Sequence, residues 1–290
     1  MHTESYLLDK RAIAVLASAI TLMVARPLAA QVDLGLAPMR VEFPAIPGRP
    51  YSGSLVLSNA GAGKGRIRAE LLDMFLDESM TPQFVTNAPA EADYSCRSWL
   101  SVNPMEMEID PRSQTPVRFT VRVPENASER SFHCAIGFRT MPAADEQNGM
   151  AIRTSVRIIA AFYPVVGKPQ SRGELTELRL EPITVPPGSE PLWRAVIVMK
   201  NSGFMLFRPS GDVDILDQAG AVVQSEKLPS FPVLPQRQQR FLLPAARNLA
   251  VGQYTIRARL DVGNEVQEAS TIVTAALPPV AADPAPTPAK

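Results

Sequence analysis

Few side chains in this 290-residue chain are suited to catalysis or metal binding. There are two histidines, His2 and His133, and two cysteines. Strand alternation over residues 132–138 places His133 on the face opposite Cys134, where we expect it at the surface. One internal histidine cannot build a His-rich zinc site, and the sequence has no Cys-x-x-Cys or His-Glu-x-x-His spacing. We therefore predict that the protein is not an enzyme and has no catalytic residue, metal site or cofactor.

Two further segments carry the residue types of ligand sites without the full pattern. Residues 61–65, Gly-Ala-Gly-Lys-Gly, superficially resemble a phosphate-binding loop, but Ser58 stands where the first glycine is required and no helix is predicted to follow. Asp212 and Asp214 share a strand face and could in principle hold a cation. We interpret the first segment as a turn and the aspartate pair as a solvated strand face. Three other acidic residues are interpreted as surface charge: Asp73, Asp77 and Glu78.

The N-terminus has the pattern of an export signal. Lys10 and Arg11 form a positive region, and residues 12–25 form an apolar run of the length found in signal peptides. Leu28-Ala29-Ala30 then offers a cleavage site. A membrane-spanning helix needs about 20 apolar residues, and no other segment approaches that length. We predict a signal peptide at residues 1–30; the alternative is an uncleaved anchor with the same topology.

The two cysteines, Cys96 and Cys134, both fall in the first predicted domain. Export implies an oxidising compartment, in which a pair of thiols tends to join. Closing a loop of about 37 residues would contribute roughly 3–4 kcal/mol through the entropy of the unfolded chain. We predict a disulfide; the alternative is two buried thiols that act as small hydrophobic side chains.

Composition and charge point to an all-β protein that does not bind nucleic acid. The 29 basic and 29 acidic residues balance, so the chain has no electrostatic reason to bind a polyanion. Its 28 prolines are compatible with strand edges and turns but not with helix interiors. Polar and apolar residues alternate over residues 118–123, 132–138 and 152–162, as half-buried strands require.

The strand series falls into two parts, which predicts two consecutive immunoglobulin-like β-sandwich domains. We place the first domain at residues 31–165, a linker at 166–173 and the second domain at 174–276. A disordered tail rich in proline and alanine follows at 277–290. In the second domain, Tyr254 has the sequence setting of a tyrosine corner, in which the phenol bonds back to nearby backbone.

Several short motifs occur in an order that resembles a known family. They are Ala-Pro-Met-Arg-Val-Glu-Phe-Pro at 37–44, Trp-Leu-Ser-Val-Asn-Pro at 99–104, Ser-Glu-Arg-Ser-Phe at 128–132 and Ile-Ala-Ala-Phe-Tyr-Pro at 159–164. Together they resemble the N-terminal domain of the periplasmic pilus-assembly chaperones, the PapD-like family. The second domain resembles that family only as a generic immunoglobulin-like sandwich.

The resemblance implies binding by β-strand addition, in which the last strand of the first domain is lent to an incomplete subunit. The donated apolar side chains would be those of Ile152, Val156 and Ile158, which are the expected donor strand. Their alternative role is to complete the core of their own domain. Thr154 interrupts the apolar series.

The resemblance also implies a pair of cations that hold the terminal carboxylate of the subunit. Arg40 matches the family's first-strand arginine, and a guanidinium binds a carboxylate with two hydrogen bonds. The family's second cation, a lysine, falls at Ile159 or Ala160 here, which leaves Arg157 as the nearest candidate. A shift of one residue would turn Arg157 to the other face. Arg40 could instead be a solvated strand residue.

These expectations define two candidate functions. The first is a periplasmic chaperone-like protein whose partner is an exported pilin-like subunit, with an outer-membrane usher as a further implied partner. The second is a non-catalytic structural or adhesive protein, at the cell surface or secreted, built of two immunoglobulin-like modules. Neither function involves nucleic acid, or membrane insertion after signal cleavage.

Overall fold

The computed structural model of the chain describes residues 32–77, 80–141, 155–183, 192–246, 249–263 and 265–275. The predicted signal peptide, the predicted tail and Ile152 lie outside these residues. In the described ranges no helix is long and apolar enough to cross a membrane. Their regular structure is almost entirely strand, which confirms the predicted all-β class.

The first sandwich consists of two sheets whose strands pair antiparallel, except that β10 pairs parallel with β2. One sheet has the strand order β1-β3-β8-β6, and the other has the order β2-β10-β9-β4-β5, with β7 paired to β4. Two short 3₁₀ helices, Pro89–Glu91 and Arg97–Trp99, lie in the connection between β5 and β6. The strands are β1 (Leu34–Ala37), β2 (Arg40–Ala45), β3 (Pro50–Asn59), β4 (Gly65–Leu76), β5 (Pro82–Val85), β6 (Leu100–Asn103), β7 (Glu106–Ile109), β8 (Ser113–Arg122), β9 (Cys134–Met141) and β10 (Arg157–Val166).

The second sandwich is smaller. Its sheets have the strand orders β11-β12-β15 and β14-β13-β16-β17. The strands are β11 (Gly173–Ile183), β12 (Leu192–Asn201), β13 (Ser210–Leu216), β14 (Val222–Lys227), β15 (Gln238–Leu242), β16 (Gly252–Asp261) and β17 (Val266–Ala275). Tyr254 donates a hydrogen bond from its hydroxyl to the carbonyl oxygen of Ala250 at 3.0 Å, which confirms the predicted tyrosine corner.

Each sandwich has its own apolar core, as the period-2 patterns predict. In the first, Leu55, Leu57, Phe138 and Phe162 are fully buried between the sheets. In the second, Ile197 and other buried side chains of β12, β13, β15 and β16 fill the same place. The predicted pair of immunoglobulin-like sandwiches is therefore present.

Cys96 and Cys134 form a disulfide, with their Cα atoms 5.2 Å apart and both side chains fully buried. Cys134 begins β9, and Cys96 ends the loop that contains the first 3₁₀ helix. The bond therefore fixes this loop, residues 86–96, against the start of β9.

The prediction that His133 lies at the surface is wrong, because its side chain is only 1% exposed. Loop 86–96 covers it: the backbone N–H of His133 donates to the carbonyl oxygen of Tyr94 at 2.8 Å, and the Tyr94 ring stacks near the imidazole. Strand alternation assigned His133 correctly to the face away from the core. It carried no information about a distant loop that covers that face.

Asp73 is likewise buried rather than a surface charge. Its carboxylate accepts hydrogen bonds from Ser95 Oγ, Arg97 Nε and the backbone N–H of Ala88, all on or beside the same loop. Asp77 accepts hydrogen bonds from the Thr81 backbone N–H and the Gln83 amide.

The other acidic residues differ in exposure. Asp212 is exposed, Asp214 is partly buried and pairs with Arg257, and Glu78 lies outside the described residues. In the described part of the chain, no group of three or more His, Cys, Asp or Glu side chains could hold a metal ion.

Candidate functional site

The last strand of the first sandwich is paired on both sides for only part of its length. β10 pairs antiparallel with β9 from Arg157 to Phe162. Its parallel pairing with β2 begins at Ala161 and ends at Val166. Among the described residues, 157–160 therefore have no strand partner on the side of β2, and unpaired edge groups are a template for another strand.

The side chains on the inner face of β10 and of the residues just before it become more exposed towards the start of the strand. Phe162 and Ala160 are fully buried between the sheets, and Ile158 is partly buried against the same core. Val156, the next residue on this face, is 43% exposed. The structure thus places Ile158 at the margin of the core and Val156 outside it, whereas Ile152 lies outside the described residues.

The opposite face of β10 points towards the second sandwich at one end. Ile159 lies beside Leu72 at Gly137, where a Cβ atom would come within 2.8 Å of Leu72 Cδ1 and 3.2 Å of Ile159 Cδ1. Gly137 therefore lets these two apolar side chains lie flat on the sheet. Tyr163, further along β10, is buried in the cluster that joins the two sandwiches.

The two cations that the sequence suggested as one carboxylate anchor are not brought together. Arg157 lies near Glu70, with 3.7 Å between its Nη1 and Oε2. Arg40 is opposite Ala161 in the β2–β10 pair, four residues along the strand. At about 3.3 Å per residue, this separates the two positions by about 13 Å. Both arginines lie on the outer face of the sheet, but they do not form one site.

A different arginine lies beside Arg40. Arg208, in the second sandwich, forms an ion pair with Glu42, and its guanidinium lies 4.9 Å from the centre of the Tyr163 ring. Arg40 Nε is 4.0 Å from the same Glu42 carboxylate. Sequence reasoning missed Arg208 because only the packing of one sandwich on the other brings residues 42 and 208 together.

A second polar contact between the sandwiches is centred on Glu91 of loop 86–96. Arg237 donates to Glu91 Oε1 at 2.8 Å, and His133 Nε2 lies 3.8 Å from Oε2. Arg130 stacks over the rings of Tyr94 in the first sandwich and Phe204 in the second. We call Glu91, Arg237 and His133 the interdomain latch.

Glu91 is buried, and burial by itself would raise the pKa of its carboxyl group. The neighbouring His133 and the hydrogen bond from Arg237 outweigh burial and hold the pKa below its ordinary value of 4.5. A carboxyl group with a lowered folded-state pKa stabilises the fold above its unfolded pKa, and this contribution is lost as the pH falls through the folded value.

We therefore expect the free energy of unfolding to fall as the pH is lowered from 4.5 through the folded-state pKa of Glu91, and to fall less steeply in a Glu91→Gln variant. Urea unfolding at a series of pH values would measure both slopes. Other paired carboxylates, such as those of Glu181 and Asp214, also have lowered pKa values. They contribute equally to the pH dependence of the wild type and of the Glu91→Gln variant. Identical slopes for the two proteins would contradict a role for Glu91.

The interface also contains an apolar groove. Met74 and Phe84 of the first sandwich and Phe231 and Leu234 of the second line a cavity of about 70 Å³, with Tyr163 in its wall. A neighbouring surface depression of about 230 Å³ shares Phe231 with this cavity. We call the two together the interdomain groove. Tyr163 lines this cavity and also lies beside the Arg208 guanidinium. The groove is therefore adjacent to the cluster of Arg40, Glu42 and Arg208.

No protein-family model matches the sequence, and no curated protein matches it. Among solved structures, the chain is similar to many fimbrial and pilus chaperones. The class 5 fimbriae chaperone CfaA is 10% identical with a TM-score of 0.41, over 83% of this chain and 99% of that chain. A chain of the CsuC–CsuE chaperone–tip adhesion subunit pre-assembly complex of Acinetobacter baumannii is 11% identical with a TM-score of 0.41, over 83% of this chain and 98% of that chain. The E. coli chaperone DraB is 13% identical with a TM-score of 0.40, over 85% and 98%.

Proposed function

We propose that this protein is a periplasmic chaperone-like protein that binds an exported pilin-like subunit by adding a strand of its own to that subunit. The observation that carries the proposal is the end of β10, where an open strand edge coincides with an apolar side-chain line that runs out of the core. Both features are needed for strand addition, because the backbone gives affinity and alternate side chains fill pockets in the partner.

The donor segment is residues 155–160 together with the preceding residues up to Ile152. Within this segment, Val156 is the most exposed apolar side chain among the described residues, and the half-buried Ile158 follows it at the margin of the core. Thr140 already holds the backbone of Val156 through two hydrogen bonds. The Val156 N–H donates to Thr140 Oγ1 at 2.9 Å, and the Thr140 N–H donates to the carbonyl oxygen of Val156 at 2.9 Å. Val156 is therefore held beside β9 before a partner arrives, which lowers the entropy lost on binding.

The order of sequence motifs in the first sandwich, which resembles the pilus-assembly chaperones, supports the same proposal. The predicted signal peptide at residues 1–30 would deliver the protein to the periplasm, where exported subunits are present. An outer-membrane usher, which would receive the captured subunit, belongs to this proposal as a second partner.

Affinity purification from the periplasm of the source cells, followed by mass spectrometry, tests this function. We expect the mature protein to retain a small exported subunit and a Val156→Asp variant to lose at least about 90% of it, because a charge cannot enter an apolar pocket. Val223→Asp is the matched control, since Val223 is an equally exposed valine of β14 in the second sandwich.

Retention of the subunit by Val156→Asp would rule out strand addition through β10. If the wild-type protein retains no exported subunit at all, the alternative stands, namely a structural or adhesive protein built of two sandwich modules.

A further inference from the structure

We propose that the outer face of the larger sheet in the second sandwich binds the same face of a second copy of this chain. The two copies are related by a two-fold axis that runs along the strands, between β13 and β16. This sheet has the strand order β14-β13-β16-β17. We call its outer face the self-association face. It shares no residue with the β10 donor segment, so the inference goes beyond the proposed function and does not depend on it.

An apolar row crosses the self-association face from one edge strand to the other. Strand pairing aligns its four members, one from each strand: Val222, Leu216, Thr255 and Ile272. The row lies on the face away from the core, because Ile215, the neighbour of Leu216, packs in the core. Ile272 is 72% exposed and Val222 is 51% exposed. Isolated exposed apolar side chains are ordinary, but a row that is continuous across a sheet indicates a surface that another protein covers.

Two charged rows lie beside the apolar row, and strand pairing fixes their order as well. From β14 to β17, the first is Ser225-Asp214-Arg257-Ser270 and the second is Lys227-Asp212-Arg259-Glu268. Arg257 donates to Asp214 at 2.8 Å within one copy. Arg259 pairs with Glu268 in the same way, at 2.9 Å. Positive and negative side chains are equal in number in these two rows, so the rows have no net charge that would repel a second copy.

The order of residues in the three rows is self-complementary about the proposed axis. When two faces pack on this axis, β14 lies over β17 of the second copy and β13 lies over β16, so that each row meets itself in reverse order. The pairs formed between the copies are Val222 with Ile272, Asp214 with Arg257, Asp212 with Arg259, and Lys227 with Glu268. Each pair joins two apolar side chains or two opposite charges, as an interface between identical surfaces requires.

An axis that runs across the strands does not have this property. It would place β16 over β16 of the second copy, and a register that overlaps the charged rows would bring Arg257 and Arg259 of the two copies together. The aspartates of β13 would meet in the same way. Like charges in contact oppose that arrangement. The distribution of charge therefore selects the axis along the strands, which also matches the aligned packing of two sheets.

The self-association face is large enough for a weak dimer. Four strands at a spacing of about 4.8 Å are about 19 Å wide, and a strand of the length of β16 is about 34 Å long. Since β13 and β14 are shorter, each copy contributes about 500–650 Å², and the two copies bury about 1,000–1,300 Å², at the lower end of specific interfaces. Exposed ion pairs set the register more than the affinity. We therefore expect a dissociation constant of about 10–100 µM.

Sedimentation equilibrium of the mature protein at an ionic strength of about 0.15 M tests the association. We expect a reversible equilibrium between monomer and dimer. Ile272→Asp should weaken it at least about tenfold, because it places a carboxylate against the apolar row of the second copy. Leu242→Asp is the matched control, since Leu242 is an exposed apolar residue of β15, in the other sheet of the same sandwich.

Two charge reversals test the register. In a dimer of Glu268→Lys, each new lysine meets Lys227 of the other copy, and in a dimer of Lys227→Glu each new glutamate meets Glu268. Each variant alone should therefore associate about five- to tenfold more weakly than the wild type. An equimolar mixture of the two should form a heterodimer of about wild-type affinity, because lysine then meets glutamate at both places. Glu174→Lys and Lys200→Glu are the matched controls, since these exposed residues face each other on β11 and β12.

A protein that stays monomeric at about 1 mM overturns the proposal. A dimer that Ile272→Asp leaves unchanged, or whose two charge-reversal variants do not recover affinity when mixed, uses another face or register and overturns it as well. Thermal unfolding of each variant shows whether it is folded. Ile272→Asp should still retain the exported subunit, so loss of self-association and loss of subunit capture through Val156→Asp are separate results.

Discussion

Replacing Cys96 and Cys134 with alanine is expected to lower the free energy of unfolding by about 3–4 kcal/mol, which is the largest stability effect we predict. The bond closes a loop with a sequence separation of 38 residues, and opening it restores conformational freedom to the unfolded chain. Both cysteines are fully buried, so the two missing sulfur atoms add a small packing loss.

The same change should also loosen the junction between the sandwiches. Loop 86–96 is held against β9 by the disulfide, and it contributes Glu91 and Tyr94 to the interdomain contacts. We therefore expect urea unfolding, monitored by circular dichroism, to broaden as well as to shift to lower urea concentration. A broadened transition indicates that the two domains no longer unfold as one unit.

Reduction of the wild-type protein with dithiothreitol is the matched control for this experiment. It should reproduce the lowered stability in the wild type and should leave the double alanine variant unchanged. A loss below about 1 kcal/mol in the variant would mean that loop 86–96 is held by its other contacts and that the disulfide adds little.

Much of the fold follows from local sequence pattern. The alternation that marks β8 and β10 depends on each strand having one face on a core, and that condition holds for both strands, whereas β9 is buried on both faces from Cys134 to Phe138. The tyrosine corner at Tyr254 was also predictable, because its hydrogen bond reaches only four residues back. The cysteine pairing followed from the cysteine count and the compartment rather than from any pattern.

The parts of the site that could not be predicted depend on contacts between distant segments. His133 and Asp73 are buried by loop 86–96, which packs on the outer face of a sheet whose alternation predicts exposure. Arg208 approaches Glu42 only because the two sandwiches pack together, at a sequence separation of 166 residues. The spacing of Arg40 and Arg157 depends on how β2 and β10 are aligned, since parallel pairing begins only at Ala161.

The two interdomain ion pairs differ in burial. Glu42 is partly exposed and pairs with Arg208 and Arg40. Glu91 is buried and is held by Arg237 and by the disulfide-anchored loop, so it is suited to fix the domains in place. The Glu91 pair is therefore the fixed contact of the junction.

The fixed contact leads to the second large effect. Arg237→Ala is expected to lower the free energy of unfolding by about 2–3 kcal/mol, because it leaves the Glu91 carboxylate buried without its cation. The full cost of such an unpaired buried charge is about 3–5 kcal/mol, and the partial exposure of Arg237 reduces it. The pKa of Glu91 should rise in this variant, since burial then acts with less opposition.

Urea unfolding would measure the stability loss, and a carbon-13 NMR titration of the Glu91 carboxyl group would measure the pKa. Arg257→Ala is the matched control, because Arg257 pairs with Asp214 on an exposed face and its loss should cost less than about 1 kcal/mol. Adding Glu91→Gln to Arg237→Ala should recover part of the stability, because a neutral amide costs less to bury than a carboxylate. If the double variant is less stable than Arg237→Ala by the full cost of Glu91→Gln alone, the two side chains are not coupled, and the latch does not exist as an energetic unit.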